Sequence, residues 1–140
     1  NIFYLIAPFV EVIDDNAFSS WTHLLYLYAP KLKKIGIKSF NECFLLFEIR
    51  AQCISHICHQ AFYECVNLTR INLAQVERFD EQCFMYCAIP HIINEKCTKF
   101  DFDVFNNLPQ LEFLDFSILT ELTFTQNTDC DNLTVIRAPE

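Results

Sequence analysis

The chain has 140 residues, 52% of them hydrophobic, with 15 Phe, one Gly and a formal net charge of −8. That length suits one domain with an ample core. The acidic balance repels phosphate and excludes nucleic acid as a natural partner, and no apolar stretch approaches the ~18 residues of a membrane-spanning helix.

In chain order, the first stretch is Asn1-Ile2-Phe3-Tyr4-Leu5-Ile6-Ala7. It is apolar but has no basic leader, so it reads as a strand and not as a signal peptide. Beyond it the chain repeats itself. Phe18, Phe40, Phe62 and Phe84 stand 22 apart, and Phe105 comes 21 later. Three residues after each comes Trp21, Cys43, Cys65, Cys87 or Leu108, and a later anchor is Leu27, Ile49, Ile71 or Leu114. Counting back from Phe105 shows one residue missing between Cys87 and Ile89, so the fourth copy is anchored by Ile89 and Ile92. The anchors then read Leu5, Leu27, Ile49, Ile71, Ile92, Leu114, Ile136. A last turn, Asn127 to Cys130, lacks its Phe but keeps Cys130, Leu133 and Ile136.

Self-similarity at 20–29 residues is the mark of a leucine-rich-type solenoid. Within a copy the apolar spacing is mostly three with one step of two, as in Phe40, Cys43, Leu46, Ile49, Ala51, Ile54, Ile57. That is neither the helical 3–4 rhythm nor strand alternation. It suits a coil that turns a corner every few residues and buries its inward side chains only against neighbouring coils. The expected fold is a right-handed, leucine-rich-repeat-type repeat solenoid, mainly β, with a parallel sheet on one face and short helical or 3₁₀ turns at Phe-x-x-Cys. The expected long-sheet strands are 3–7, 24–29, 46–51, 68–73, 89–94, 111–116 and 133–138. A shorter line is expected near 10–13, 32–35, 54–57, 76–79, 97–100 and 119–122. Residues 1–140 form a single solenoid of about six 22-residue repeats, and the want of polar caps suggests a fragment of a longer array. The single Gly36 suggests corners that do without positive φ. Asn94, at an inward place, and Pro90, in a strand, predict a kink or bulge in the shortened copy.

The unit resembles the BspA-like (Treponema-type) leucine-rich repeat. Asn16-Ala17-Phe18, Ala29-Pro30-Lys31-Leu32-Lys33-Lys34-Ile35 and Ala61-Phe62-Tyr63-Glu64-Cys65-Val66-Asn67-Leu68-Thr69-Arg70-Ile71 carry the resemblance. It implies a surface or adhesion role and places the chain outside the cell.

Six of the eight cysteines (Cys43, Cys65, Cys83, Cys87, Cys97, Cys130) occupy inward register and read as buried small hydrophobes; Cys53 and Cys58 fall off register. Eight free thiols would instead suit a reducing cytoplasm. Cys53-Ile54-Ser55-His56-Ile57-Cys58-His59 crowds potential metal ligands, but a strand would spread them around its axis, so no metal or cofactor is expected. Asn67-Leu68-Thr69 and Asn132-Leu133-Thr134 are sequons that fall at one repeat position. Lys31, Lys33, Lys34 and Lys38 read as a solvated coil, and Glu77, Arg78, Asp80, Glu81, Asp101 and Asp103 as solvated off-register charges.

Strand alternation turns the residues flanking each anchor outward. These are Tyr4, Ile6, Tyr26, Tyr28, Glu48, Arg50, Arg70, Asn72, His91, Ile93, Phe113, Asp115, Val135 and Arg137. Tyr26, Tyr28, Glu48, Arg50, Arg70, Asn72, His91 and Phe113 are the candidate partner-binding residues, since Tyr and Arg are enriched at binding hot spots. Ile6, Ile93 and Phe113 are expected to form an apolar patch beside the tyrosines. No Ser-His-Asp or Cys-His pairing follows from spacing, and the expected function is non-enzymatic recognition of a protein or surface glycan. The alternative is a spacer or intracellular scaffold. An enzyme would need a deep polar pocket with a His beside a Cys.

Overall fold

The structure is a computed structural model that describes residues 2–105, 107–123 and 129–139, without the Asp103 side chain. Asn127 and Thr128 of the last turn, and the expected solvation of Asp103, lie outside it.

The described strands are, in chain order, β1 (Tyr4–Ile6), β2 (Val12–Ile13), β3 (Tyr26–Tyr28), β4 (Lys34–Ile35), β5 (Glu48–Arg50), β6 (His56–Ile57) and β7 (Arg70–Ile71). They continue as β8 (Arg78–Phe79), β9 (His91–Asn94), β10 (Lys99–Asp101), β11 (Phe113–Phe116), β12 (Glu121–Thr123) and β13 (Val135–Arg137). All described pairings are parallel. In the long line Leu5 pairs Leu27, Leu27 pairs Ile49, and Ile49 pairs Ile71. Beyond the shortened copy Ile92 pairs Leu114 and Leu114 pairs Ile136, which is the register obtained by counting back from Phe105. The short line runs Ile13, Ile35, Ile57, Phe79, and then Phe100 with Leu122.

The interior is built by stacking like on like. Phe18, Phe40, Phe62 and Phe84 form a file with successive ring centroids 5.3 Å apart and planes within 21°. Phe105 leaves the file, lying 6.2 Å from Phe84 at 50° and packing instead on Phe100 at 4.7 Å. Beside the rings runs a file of thiols. Cys43, Cys65, Cys87 and Cys130 donate to the carbonyls of Phe18, Phe40, Phe62 and Phe105 at 3.0–3.2 Å. Each bond ties one coil to the one before it.

Two expectations about the corners need correction. The Phe-x-x-Cys turns are not short helices; one 3₁₀ helix is described, at Phe102–Phe105. Nor do the corners avoid positive φ. Asn16, Lys38, Gln60 and Gln82 before the Phe, and Ser20, Glu42, Glu64, Tyr86 and Asn107 after it, all adopt φ of 51–65°. The hydrogen bonds explain this. Lys38, Phe40 and Glu42 send their N–H forward to the carbonyls of His59, Ala61 and Tyr63 in the next coil at 2.8–3.1 Å. The intervening Ser39, Asn41 and Cys43 donate back within the turn to Gly36, Lys38 and Phe40. Left-handed residues placed two before and two after the Phe bend the corner so that every second N–H, that of the Phe included, points along the stack. Each such residue costs roughly 1–2 kcal/mol of backbone strain, offset by inter-coil bonds that a helix would keep to itself. Gly36 serves a different need, because a Cβ there would lie 2.6 Å from the Asp14 carbonyl carbon of the preceding coil.

The ladders are also less continuous than expected. The long line splits into β1-β3-β5-β7 and β9-β11-β13, and the short line into β2-β4-β6-β8 and β10-β12. Both breaks fall at the shortened copy, where Pro90 has no N–H to donate. Asn94, expected as a weak point, is the staple across this gap. Its Nδ2 donates to Leu73 O and Val76 O, each at 2.8 Å, and its Oδ1 accepts from Lys96 N at 3.0 Å and Cys97 N at 2.7 Å. Although 1% exposed, the amide has a partner for both donor hydrogens and both acceptor lone pairs.

Candidate functional site: the outward face of the long sheet

Because like positions pair, the outward residues stand in two files. One runs Tyr4, Tyr26, Glu48, Arg70, and after the gap His91, Phe113, Val135. The other runs Ile6, Tyr28, Arg50, and after the gap Ile93, Asp115, Arg137. None of these side chains is buried, and Arg50, Arg70 and His91 are exposed. Asn72 is exposed just past β7 and its Oδ1 accepts from Ala74 N at 3.0 Å, so it also shapes the turn.

The face has three zones. Tyr4 and Tyr26, 6.2 Å between ring centroids, and the adjoining Tyr28 and Ile6 make the first, aromatic and aliphatic. Glu48, Arg50 and Arg70 make a charged middle, with Glu48 and Arg70 paired loosely at 4.0 Å. His91 packs its ring edge-on to Phe113 at 6.1 Å in the third, where the Arg137 guanidinium lies over the Phe113 ring at 5.6 Å and pairs with Asp115 at 3.0 Å. The expected single apolar patch is therefore not formed: Ile6 lies in the first zone and Ile93 and Phe113 in the third, with charged strands between, and Phe113 is half-buried. Shallow grooves of about 400 Å³ (Glu48, Arg50, Arg70, Asn72) and about 390 Å³ (His91, Ile93, Glu112, Phe113) run between adjacent strands.

The thiols divide by environment. Burial pushes the Cys43 thiol up to about 12, and those of Cys65, Cys83 and Cys87 are raised strongly for the same reason. Burial thus holds these four as thiols, away from the thiolate form that attacks or binds metal. No disulfide is formed, and Cys53 is exposed. Cys58, expected off register, is buried and its Sγ lies 3.8 Å from His56 Nε2. The same nitrogen lies 3.3 Å from Asp80 Oδ2 on the next coil. His56 and Cys58 are two residues apart and so share a face of the coil, and the pairing of Ile57 with Phe79 sets Asp80 beside them on the next one. The signal is present in the spacing, since Asp80 stands one repeat of 22 after Cys58. A His beside a Cys is thus present, but it is not a catalytic dyad with an orienting acid. In a relay the acid holds one ring nitrogen and the nucleophile the other, whereas here both contact Nε2. Burial, and then the Asp80 carboxylate, also raise the Cys58 thiol, away from the thiolate.

The sequons have a structural use. Asn67 Nδ2 donates to Phe44 O at 2.7 Å and Asn132 Nδ2 to Pro109 O, so both amides cap a carbonyl of the preceding coil. No helix among the described residues is long and apolar enough to cross a membrane.

Stacked parallel coils, a phenylalanine file and a thiol file define a leucine-rich-repeat solenoid. The chain belongs to the BspA type leucine-rich repeat family, whose model matches residues 5–112 in six copies. Among solved structures it is similar to the leucine-rich repeat protein TpLRR of T. pallidum, with a TM-score of 0.68 at 15% identity over 94% of this chain and 78% of that one. At that identity the likeness speaks for the fold. No curated protein sequence matches the chain.

Proposed function

We propose that the chain is a non-enzymatic interaction module that recognises a protein or surface glycan through the outward face of the long sheet. The observation that carries this reading is the aromatic zone of Tyr4, Tyr26 and Tyr28 beside the exposed Arg50 guanidinium. Tyrosine and arginine supply rigid contact area and directional hydrogen bonds at hot spots. A preformed sheet carries them at fixed spacing, so binding would order little of the module. Family membership supports an interaction-type repeat, and a surface or adhesin-like setting is the form we favour.

The test is a triple variant, Tyr26→Ala, Tyr28→Ser and Arg50→Glu, screened beside the natural chain on protein and glycan arrays. All three side chains point away from the core, so the variant should keep its circular dichroism and lose the ligands that the natural chain retains. Retention of the same ligands by both would instead favour an array that only holds neighbouring domains apart.

A further inference from the structure

We propose that His56, Cys58 and Asp80 form a zinc site, with three protein ligands and a fourth position open to water. His56 is on β6, Cys58 follows it at the corner, and Asp80 occupies the Cys58 position one coil later. Their ligand atoms all lie within 4.8 Å of one another.

The separations fit an ion. Zinc binds nitrogen, oxygen and sulfur at about 2.0–2.3 Å, and tetrahedral angles then hold ligand atoms about 3.3–3.6 Å apart. Here Nε2 lies 3.3 Å from Asp80 Oδ2 and 3.8 Å from Cys58 Sγ, and the sulfur and the carboxylate oxygen, within 4.8 Å of each other, would draw together around the ion. Nε2 faces a carboxylate oxygen and a sulfur at once, and a neutral imidazole nitrogen either donates or accepts. If Nε2 carries the proton it serves Asp80 and leaves Cys58 Sγ, a weak acceptor, only a shared hydrogen. If it carries the lone pair it accepts from the thiol and turns that lone pair on a carboxylate. A cation between the three satisfies all of them.

The contrast with the other thiols points the same way. Cys43, Cys65, Cys87, Cys97 and Cys130 each donate to a backbone carbonyl at 3.0–3.2 Å, while Cys58 is turned to a histidine. The surroundings also orient the carboxylate as an outer shell would. Arg78 Nε holds Asp80 Oδ1 at 2.7 Å, leaving Oδ2 toward His56. On binding, the thiol releases one proton to solvent as the zinc–sulfur bond forms. Thiolate and carboxylate together neutralise the dication, so the site passes from the single negative charge of Asp80 to neutral and the bound ion leaves no excess positive charge of its own beside Arg78 and Lys34. Thiolate, imidazole and carboxylate in a tetrahedral set suit zinc over magnesium or calcium.

Cobalt(II) titrated into the whole chain under reducing conditions tests this directly. The expected result is one equivalent bound, with the visible bands of tetrahedral cobalt, a near-ultraviolet thiolate charge-transfer band, and displacement by zinc. Cys58→Ser should abolish the charge-transfer band, and Cys58→Ser and His56→Asn should each weaken zinc binding at least about tenfold by calorimetry. Cys53→Ser should change neither. Should Cys58→Ser fail to fold by circular dichroism, His56→Asn decides alone. Absence of the bands in the natural chain, or zinc binding unchanged in the folded Cys58 or His56 variant, overturns the site, as does loss of the bands in Cys53→Ser.

Discussion

Ser39 shows how sharply the interior discriminates between similar side chains. It is fully buried, and its Oγ has no hydrogen-bond partner. The equivalent residues one coil before and after are Ala17 and Ala61. A buried hydroxyl without a partner costs about 1–3 kcal/mol. Ser39→Ala removes that cost, and alanine already fits the position. The variant should therefore gain about 1 kcal/mol in urea-induced unfolding, and a lower midpoint than the natural chain would show that Oγ has a partner. The left-handed residues are a second case. Polar side chains at Lys38, Glu42, Gln60 and Glu64 carry a backbone strain that glycine would relieve. The strain persists because each forward-aimed N–H closes an inter-coil bond.

The phenylalanine file is the element that joins the coils. Phe62 is fully buried and stacked at 5.3 Å on both Phe40 and Phe84, while Phe18 is half-buried and has its file neighbour on one side. Truncating a buried phenylalanine costs about 3–5 kcal/mol, the transfer term plus a cavity. Phe62→Ala should fall in that range and Phe18→Ala at roughly half of it, read from paired denaturant curves. Equal losses would mean that the file is not the source of cohesion. The departure of Phe105 belongs to the same element. With a residue deleted between Cys87 and Ile89, the following coil cannot keep its ring in line, and Phe100 and Phe116 fill the space with their own rings.

Across the molecule, the shortened copy divides both ladders at one level, and Asn94 spans the division. Stability in a solenoid is close to a sum over neighbouring coils, so the thinnest junction governs cooperativity. Asn94→Leu keeps the volume but leaves Val76 O and the N–H groups of Lys96 and Cys97 without this partner, while Leu73 O keeps the N–H of Val76. A loss of about 3 kcal/mol or more is expected from the cost of orphaned buried groups. Hydrogen exchange should accelerate first in β9 and the turn to Cys97, before β3 and β5. An unchanged midpoint would show that the coils join without the amide. The same division separates the tyrosine zone from the His91–Phe113 zone. A partner large enough to touch both would read their relative placement across this junction.

The stacking frame is legible along the chain because every coil repeats the same inward positions. Burial selects Leu5, Leu27, Ile49 and their successors, and that selection survives as one-dimensional spacing. The outward files follow by alternation, so all eight candidate binding residues can be named from the chain. Chain spacing could not supply contacts made sideways between coils. The spacing of 22 puts Asp80 at the Cys58 position, but the approach of His56 to Asp80, the bonds of Asn94 to Leu73 and Val76 and the left-handed corners each depend on how a group is aimed at a neighbouring coil. Those directions are set by hydrogen bonds between residues about one repeat apart in the chain, which exist once the coils are laid on one another.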